Sequence, residues 1–170
     1  MNKMLPFLLI ITTLLVTSGG VSAAINPTTS KQNPLKVTHV DKKTTYIKSL
    51  KIKQGKLFAN FDYIQWYTGK RADQEFLKDC KEQCKGNDAP HNALDGYYIR
   101  NANPKIRTLL ISDKAIFVIQ PRSYKVQWNK VVSKQEFIKY IQSTKYINQS
   151  PFHIEIKNGV VTKITEQYIP

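Results

Sequence analysis

The chain has 170 residues, with 26 Lys or Arg against 12 Asp or Glu and a formal net charge of +14; 22 of the 26 basic residues are lysine. Such an excess favours anionic partners, namely an anionic cell-wall polymer, an anionic lipid surface or an acidic protein, or else it keeps an exported protein soluble. Two cysteines exclude a disulfide-dependent scaffold, and there is no reading helix, finger or aromatic-basic sheet of the kind that marks a specific nucleic-acid binder.

The first 23 residues have the pattern of a signal peptide. Lys3 is followed by an uncharged run from Leu5 to Val16, and Val21-Ser22-Ala23 suits cleavage after Ala23. The run is too short for a comfortable membrane span, and no later apolar segment reaches that length. Residues 24–34 are polar with two prolines and read as a flexible leader, so a single globular domain is expected over 35–170. Secretion follows as the expected location, with charge able to hold the protein at the cell envelope.

Alternating apolar residues over 36–53 suggest one or two strands, Gln54-Gly55 a turn, and the aromatic-rich run 56–67 another strand. Thr68 can cap a helix running from Lys70 to about Cys84, with Ala72, Phe76, Cys80 and Cys84 as an i, i+4 stripe and Leu77 beside it. The run from Gly86 to His91 breaks that helix. A short strand is expected at Tyr97–Arg100, a turn at residues 101–104, a strand at Ile106–Ile111, a turn at 112–114, a strand at Ala115–Ile119, and another at Tyr124–Trp128. Ser133 with Glu136 three residues on is a capping box for a second helix, with Val132 and Phe137 as its hydrophobic staple. Asn158-Gly159 between alternating apolar residues predicts a C-terminal hairpin. The order implies an α+β domain: a curled antiparallel sheet or small partly open barrel with two helices and the Asn-Gly hairpin.

Cys80 and Cys84 are the first chemical candidates. They lie late in a helix with three residues between them, where the thioredoxin arrangement has two between cysteines at a helix start. A disulfide is within reach if the last helical turn frays, since parallel side-chain directions on a regular helix are poor for the bond; free or intermolecular thiols, redox use and metal binding stay open. A Cys80, Cys84, His91 and Asp88 metal group lacks the usual zinc spacing. No nucleophile elbow, His-Glu-x-x-His or phosphate loop is present, and no catalytic residue or cofactor is expected. Aromatics from several strands near Arg100 and Arg107 make either a ligand platform or an ordinary core.

Three stretches carry a resemblance: DYIQWYTGKRA at 62–72, GYYIRNANPKIRTLLISDKAIF at 96–117 and NGVVTKITEQYIP at 158–170. They resemble an uncharacterised family of small secreted or lipid-anchored proteins of Gram-positive bacteria. The matching positions are Asp62, Trp66, Tyr98, Asn101, Asn103, Arg107 and Glu166, which form the candidate interaction or structural cluster. The resemblance implies no catalytic residue, and the cysteine pair departs from the pattern. Arg107 shares a strand face with Leu109 and Ile111, so it needs a partner there; Asp62 and Glu166 are the expected acids. The functional expectation is a non-catalytic basic protein binding an anionic envelope component or a partner protein. The alternative is a cell-wall-associated enzyme or enzyme inhibitor.

Overall fold

The computed structural model describes residues 39–86, 90–121 and 128–169. The signal segment, the polar leader and most of the strand expected at Tyr124–Trp128 lie outside them. In chain order the elements are β1 (Val40–Lys53), β2 (Lys56–Thr68), α1 (Gly69–Cys80) continuing into a 3-10 turn (Lys81–Cys84), β3 (Tyr97–Arg100), β4 (Ile106–Ile119), β5 (Lys130–Val132), α2 (Lys134–Ser143), a 3-10 turn (Ile147–Gln149), β6 (Pro151–Lys157) and β7 (Val160–Glu166). The fold is α+β, as the element order implies.

Five of the strands close a ring, β1–β2–β4–β7–β6 and back to β1. Four of its pairings are antiparallel, and β4 with β7 is parallel. The barrel is therefore closed rather than partly open. The alternation seen in the sequence explains what it encloses: Ile47, Leu57, Phe61, Ile111, Phe152 and Ile164 all face inward and are buried. Each such side chain is worth about 1.5–3 kcal/mol of burial.

Two expected segments differ. Residues 106–119 form one strand, not two strands about a turn, with a register shift against β7 between Ile111 and Ile116. Polar residues 112–114 point out at this irregularity, where Ser112 Oγ accepts from the Lys114 amide (3.2 Å) and Lys134 donates to Asp113 (2.7 Å). A bulge of this kind bends a strand without ending it, as a closed barrel requires. β5 is a short strand that the sequence reading left out; it pairs with the end of β4 through Phe117, Val118 and Ile119.

Helix α2 plugs one end of the ring. Its capping box is complete: Ser133 Oγ accepts from the Glu136 amide (3.2 Å), and Glu136 accepts from the Ser133 amide (2.8 Å). The Ser133 amide, and after it the Ser133 hydroxyl, hold the Glu136 carboxyl below its ordinary range. Val132 and Phe137 are both buried, as the staple requires. Phe137 stacks on Phe117 at 4.5 Å and meets Phe152 edge-on at 6.4 Å. The C-terminal hairpin turns at Asn158 (φ 52°) and Gly159 (φ 76°), both left-handed, as a two-residue primed turn demands.

β2 outruns the ring. Its first half, through Asp62, pairs with β4, and its second half, Gln65–Thr68, pairs with β3. Helix α1 lies against this two-stranded extension.

Candidate functional site

The seven candidate residues do not converge. Asp62 lies on the outer side of β2, where one carboxylate oxygen accepts from Asn101 Nδ2 (2.8 Å). The other is buried without a hydrogen-bond partner among the described residues. Tyr46 stands opposite Asp62 on β1. Burial, then the Asp62 charge and Tyr97, push the Tyr46 hydroxyl above its usual range. Trp66 is farther along the same side and stacks on Tyr97 at 4.7 Å. Asn103 accepts from the Lys105 amide and shapes the exposed turn before β4.

Arg107 points inward at the ring end away from α2, as its parity with Leu109 and Ile111 indicates. The expected acidic partner is not there. Its guanidinium lies over the Tyr63 ring at 4.3 Å and donates to the Lys105 carbonyl (2.6 Å), and no carboxylate pairs with it among the described residues. Asp62 lies across β2 with the opposite parity. Glu166 is at the other end of the barrel: Arg107 begins β4, whereas the β4 neighbours of Thr165 and Glu166 end it. There Glu166 accepts from the Gln120 amide (2.7 Å) and the Tyr140 hydroxyl (2.9 Å), tying β7 to β4 and α2. Stacking on an aromatic face satisfies the cation that the sequence reading had paired with an acid.

Tyr98 belongs to a cluster that the sequence reading missed. Arg100 donates to Asp79 Oδ2 (2.6 Å), Glu75 Oε2 (2.8 Å) and the Glu75 carbonyl (3.0 Å), and lies against the rings of Tyr67 and Tyr98. Tyr98 donates to Asp79 (2.8 Å) and meets Phe76 edge-on. Hydrogen bonds from Lys78 and Arg100 hold the Glu75 carboxyl below its ordinary range, and those from Arg100 and Tyr98 do the same for Asp79; the two acids in turn raise Arg100. The signal was present in the sequence: acids at i and i+4 on α1 present one face to a neighbouring strand. Every group in the cluster is engaged, so its effect is to fasten α1 to the extension.

Cys80 and Cys84 are joined by a disulfide with Cα atoms 5.5 Å apart. The regular helix gives way at Lys81 (φ 48°) to the 3-10 turn, the local unwinding that lets two cysteines on one helical face meet. No group of three or more potential metal ligands occurs among the described residues.

The free charge is concentrated elsewhere. Residues 42–61 hold six lysines and no acid. β6 covers β1 only through Tyr46, so the far half of β1 pairs with β2 alone; this β1–β2 ribbon turns at Gln54-Gly55, and its β2 arm is also paired with β4. Lys48, Lys51, Lys53 and Lys56 are exposed along it. Among the described residues none of the four is in a salt bridge, and Lys48 lies over the Tyr46 ring at 5.7 Å. Beside them the outer face has two rows. Ser49, Asn60 and Thr108 form a hydrogen-bonded polar row, with Asn60 donating to Ser49 (2.9 Å) and accepting from Thr108 (2.6 Å). Phe58, Leu110 and Val160, in register across β2, β4 and β7, form a half-buried apolar row that begins opposite Lys51.

No family model matches the chain, and no curated protein or solved structure matches it.

Proposed function

We propose that this is an exported, non-catalytic protein that binds a phosphate-rich anionic polymer of the bacterial envelope through the outer face of β1, β2 and β4. The observation that carries the reading is the ribbon, whose four exposed lysines have no acid bonded to them among the described residues and stand beside a polar row and an apolar row. A chain of phosphates and polyols needs that combination: cations for its charge, hydroxyl and amide groups for its oxygens, and a low apolar ridge for its carbon backbone. The topology supports it. The ring order, with a helix entering between the third and fourth ring strands, is that of the OB-fold, whose ligands lie across the second and third ring strands. Here those strands are β2 and β4. The resemblance to small exported Gram-positive proteins agrees with this location.

The test is retention on purified walls and on phosphatidylglycerol vesicles, at low salt and at about 0.5 M. Lys48, Lys51, Lys53 and Lys56 are changed together to Gln. At roughly fivefold per lysine near an anionic surface, the variant loses a few hundredfold in affinity. A control variant of Lys139 and Lys145, on and just after α2, changes by less than tenfold. Lysines along an open strand edge also discourage edge-to-edge pairing. If the ribbon variant self-associates while its wall binding is unchanged, the lysines protect an edge and the proposal fails.

A further inference from the structure

A second surface differs in character. Trp128 and Tyr168 meet edge-to-face at 4.4 Å, yet they remain 55% and 46% exposed. They border an open depression of about 410 Å³ whose other walls include Gln120, Asn129, His153, Thr165 and Gln167. A second depression of about 300 Å³ adjoins it, sharing His153 and Thr165 and running over Lys42, Thr44 and Glu155. Both lie on the outer face of β1, β6 and β7, where Thr44, His153 and Thr165 stand side by side in register.

The polar groups are oriented by one another. Gln167 Nε2 donates to the Tyr168 carbonyl (2.7 Å), which turns Gln167 Oε1 toward His153 Nε2 (2.8 Å). His153 Nε2 therefore carries the hydrogen, and in the neutral ring Nδ1 accepts from the Thr44 hydroxyl (3.1 Å). The lysines are compensated, Lys42 by Glu155 (3.7 Å) and Lys43 by Asp41 (2.8 Å). Glu166 completes the wall of the larger depression, which has no lysine or arginine in its lining, so on a protein of net +14 this depression carries no positive charge.

We propose that this strip of the sheet face binds a neutral, extended sugar chain. A pyranose ring has apolar C–H faces and a rim of hydroxyls, so it needs an exposed aromatic face beside fixed donors and acceptors of no net charge. Exposed Trp128 and Tyr168 give the first, and the amides, Thr165 and the fixed His153 give the second. A polyanion finds no lysine or arginine in the wall of the larger depression, and Lys163, on β7 beside Glu155, lines neither depression. A peptide adding as a strand finds no open edge, because β6 is paired on both sides and β7 lies between β6 and β4. The open depression on a sheet surface suits a flat, β-linked chain rather than a compact ligand. This site is separate from the lysine ribbon and does not depend on it.

The experiment is calorimetric titration of the whole protein with cellotetraose and with the β-linked N-acetylglucosamine tetramer, and with polyphosphate as the charged comparison. At least one sugar binds with a Kd of about 1 mM or tighter. Trp128→Ala weakens it at least about tenfold, and His153→Ala weakens it too. Trp128 is more than half exposed, so its variant keeps the wild-type unfolding temperature within a few degrees. The ribbon variant binds the sugar as the wild type does. Failure of both sugars up to about 10 mM overturns the proposal, as does sugar binding that Trp128→Ala leaves intact. Polyphosphate competing the sugar off this strip also overturns it.

Discussion

Phe137 is the residue through which helix α2 closes the barrel, and its removal tests that architecture quantitatively. The side chain is 0% exposed, sandwiched between Phe117 and Phe152. A buried Phe hides about 200 Å², which at roughly 25 cal/mol per Å² is about 5 kcal/mol before the residual alanine surface is deducted. Truncations of buried Phe to Ala cost about 3–5 kcal/mol, cavity included. Two walls of the resulting hole, Phe117 on β4 and Phe152 on β6, belong to strands of a closed ring, which relax little, so Phe137→Ala should not fall at the low end of that range but cost about 4 kcal/mol. For a domain of this length each kcal/mol moves Tm by roughly 3–5 °C, so a fall of about 12–20 °C is expected. Thermal and urea unfolding followed by circular dichroism measure it. Phe76→Ala is the comparison, because Phe76 is only half-buried on α1 and touches the extension rather than the ring; it should cost about 1–2 kcal/mol. If Phe137→Ala costs no more than Phe76→Ala, α2 is not the plug described.

Acid should loosen the α1 clamp. Glu75 and Asp79 have carboxyls held below their ordinary range, so their contribution is fully present above about pH 4–5 and is lost as pH falls through the folded-state values. Arg100→Gln removes the cause, so the stability gap between wild type and variant should narrow from pH 7 to pH 3; a gap constant across that range rejects the linkage. The disulfide closes a loop of only a few residues, so the double variant Cys80→Ser with Cys84→Ser should lose at most about 2 kcal/mol, read from urea midpoints. A loss well above that would mean the bond organises more than the last turn of α1. Alkylation without reductant should leave the intact mass unchanged.

What could be read from the sequence was local chemistry. The capping box at Ser133 and Glu136, the Asn158-Gly159 turn and the parity of Arg107 each depend on residues a few positions apart. Ring closure depends on β7 reaching β4 in parallel, a pairing between segments some 50 residues apart that no alternation pattern encodes. The bulge at Ser112–Lys114 has the composition of a turn and is one only for its side chains, because the backbone stays paired on either side. The partner of Arg107 could not be named from parity, which says which face a side chain occupies but not which end of the barrel offers an acid.

The motif residues and the free charge therefore belong to different parts of the molecule. Asp62 is engaged by Asn101, Asp73 by the Ala93 amide, Glu75 and Asp79 by Arg100, Asp113 by Lys134, Glu136 by its helix cap, and Glu166 by Gln120 and Tyr140. Asp41 and Glu155 compensate Lys43 and Lys42 on β1 and β6. Most of the few acids thus hold the scaffold together, and the ribbon lysines are left with no acid bonded to them among the described residues. A net charge of +14 spread evenly would make a weak, featureless attraction. Engagement of the acids leaves four lysines along the β1–β2 ribbon with no acid bonded to them among the described residues, whereas the depression beside Trp128 and Tyr168 has no lysine or arginine in its wall, so the two surfaces differ in charge.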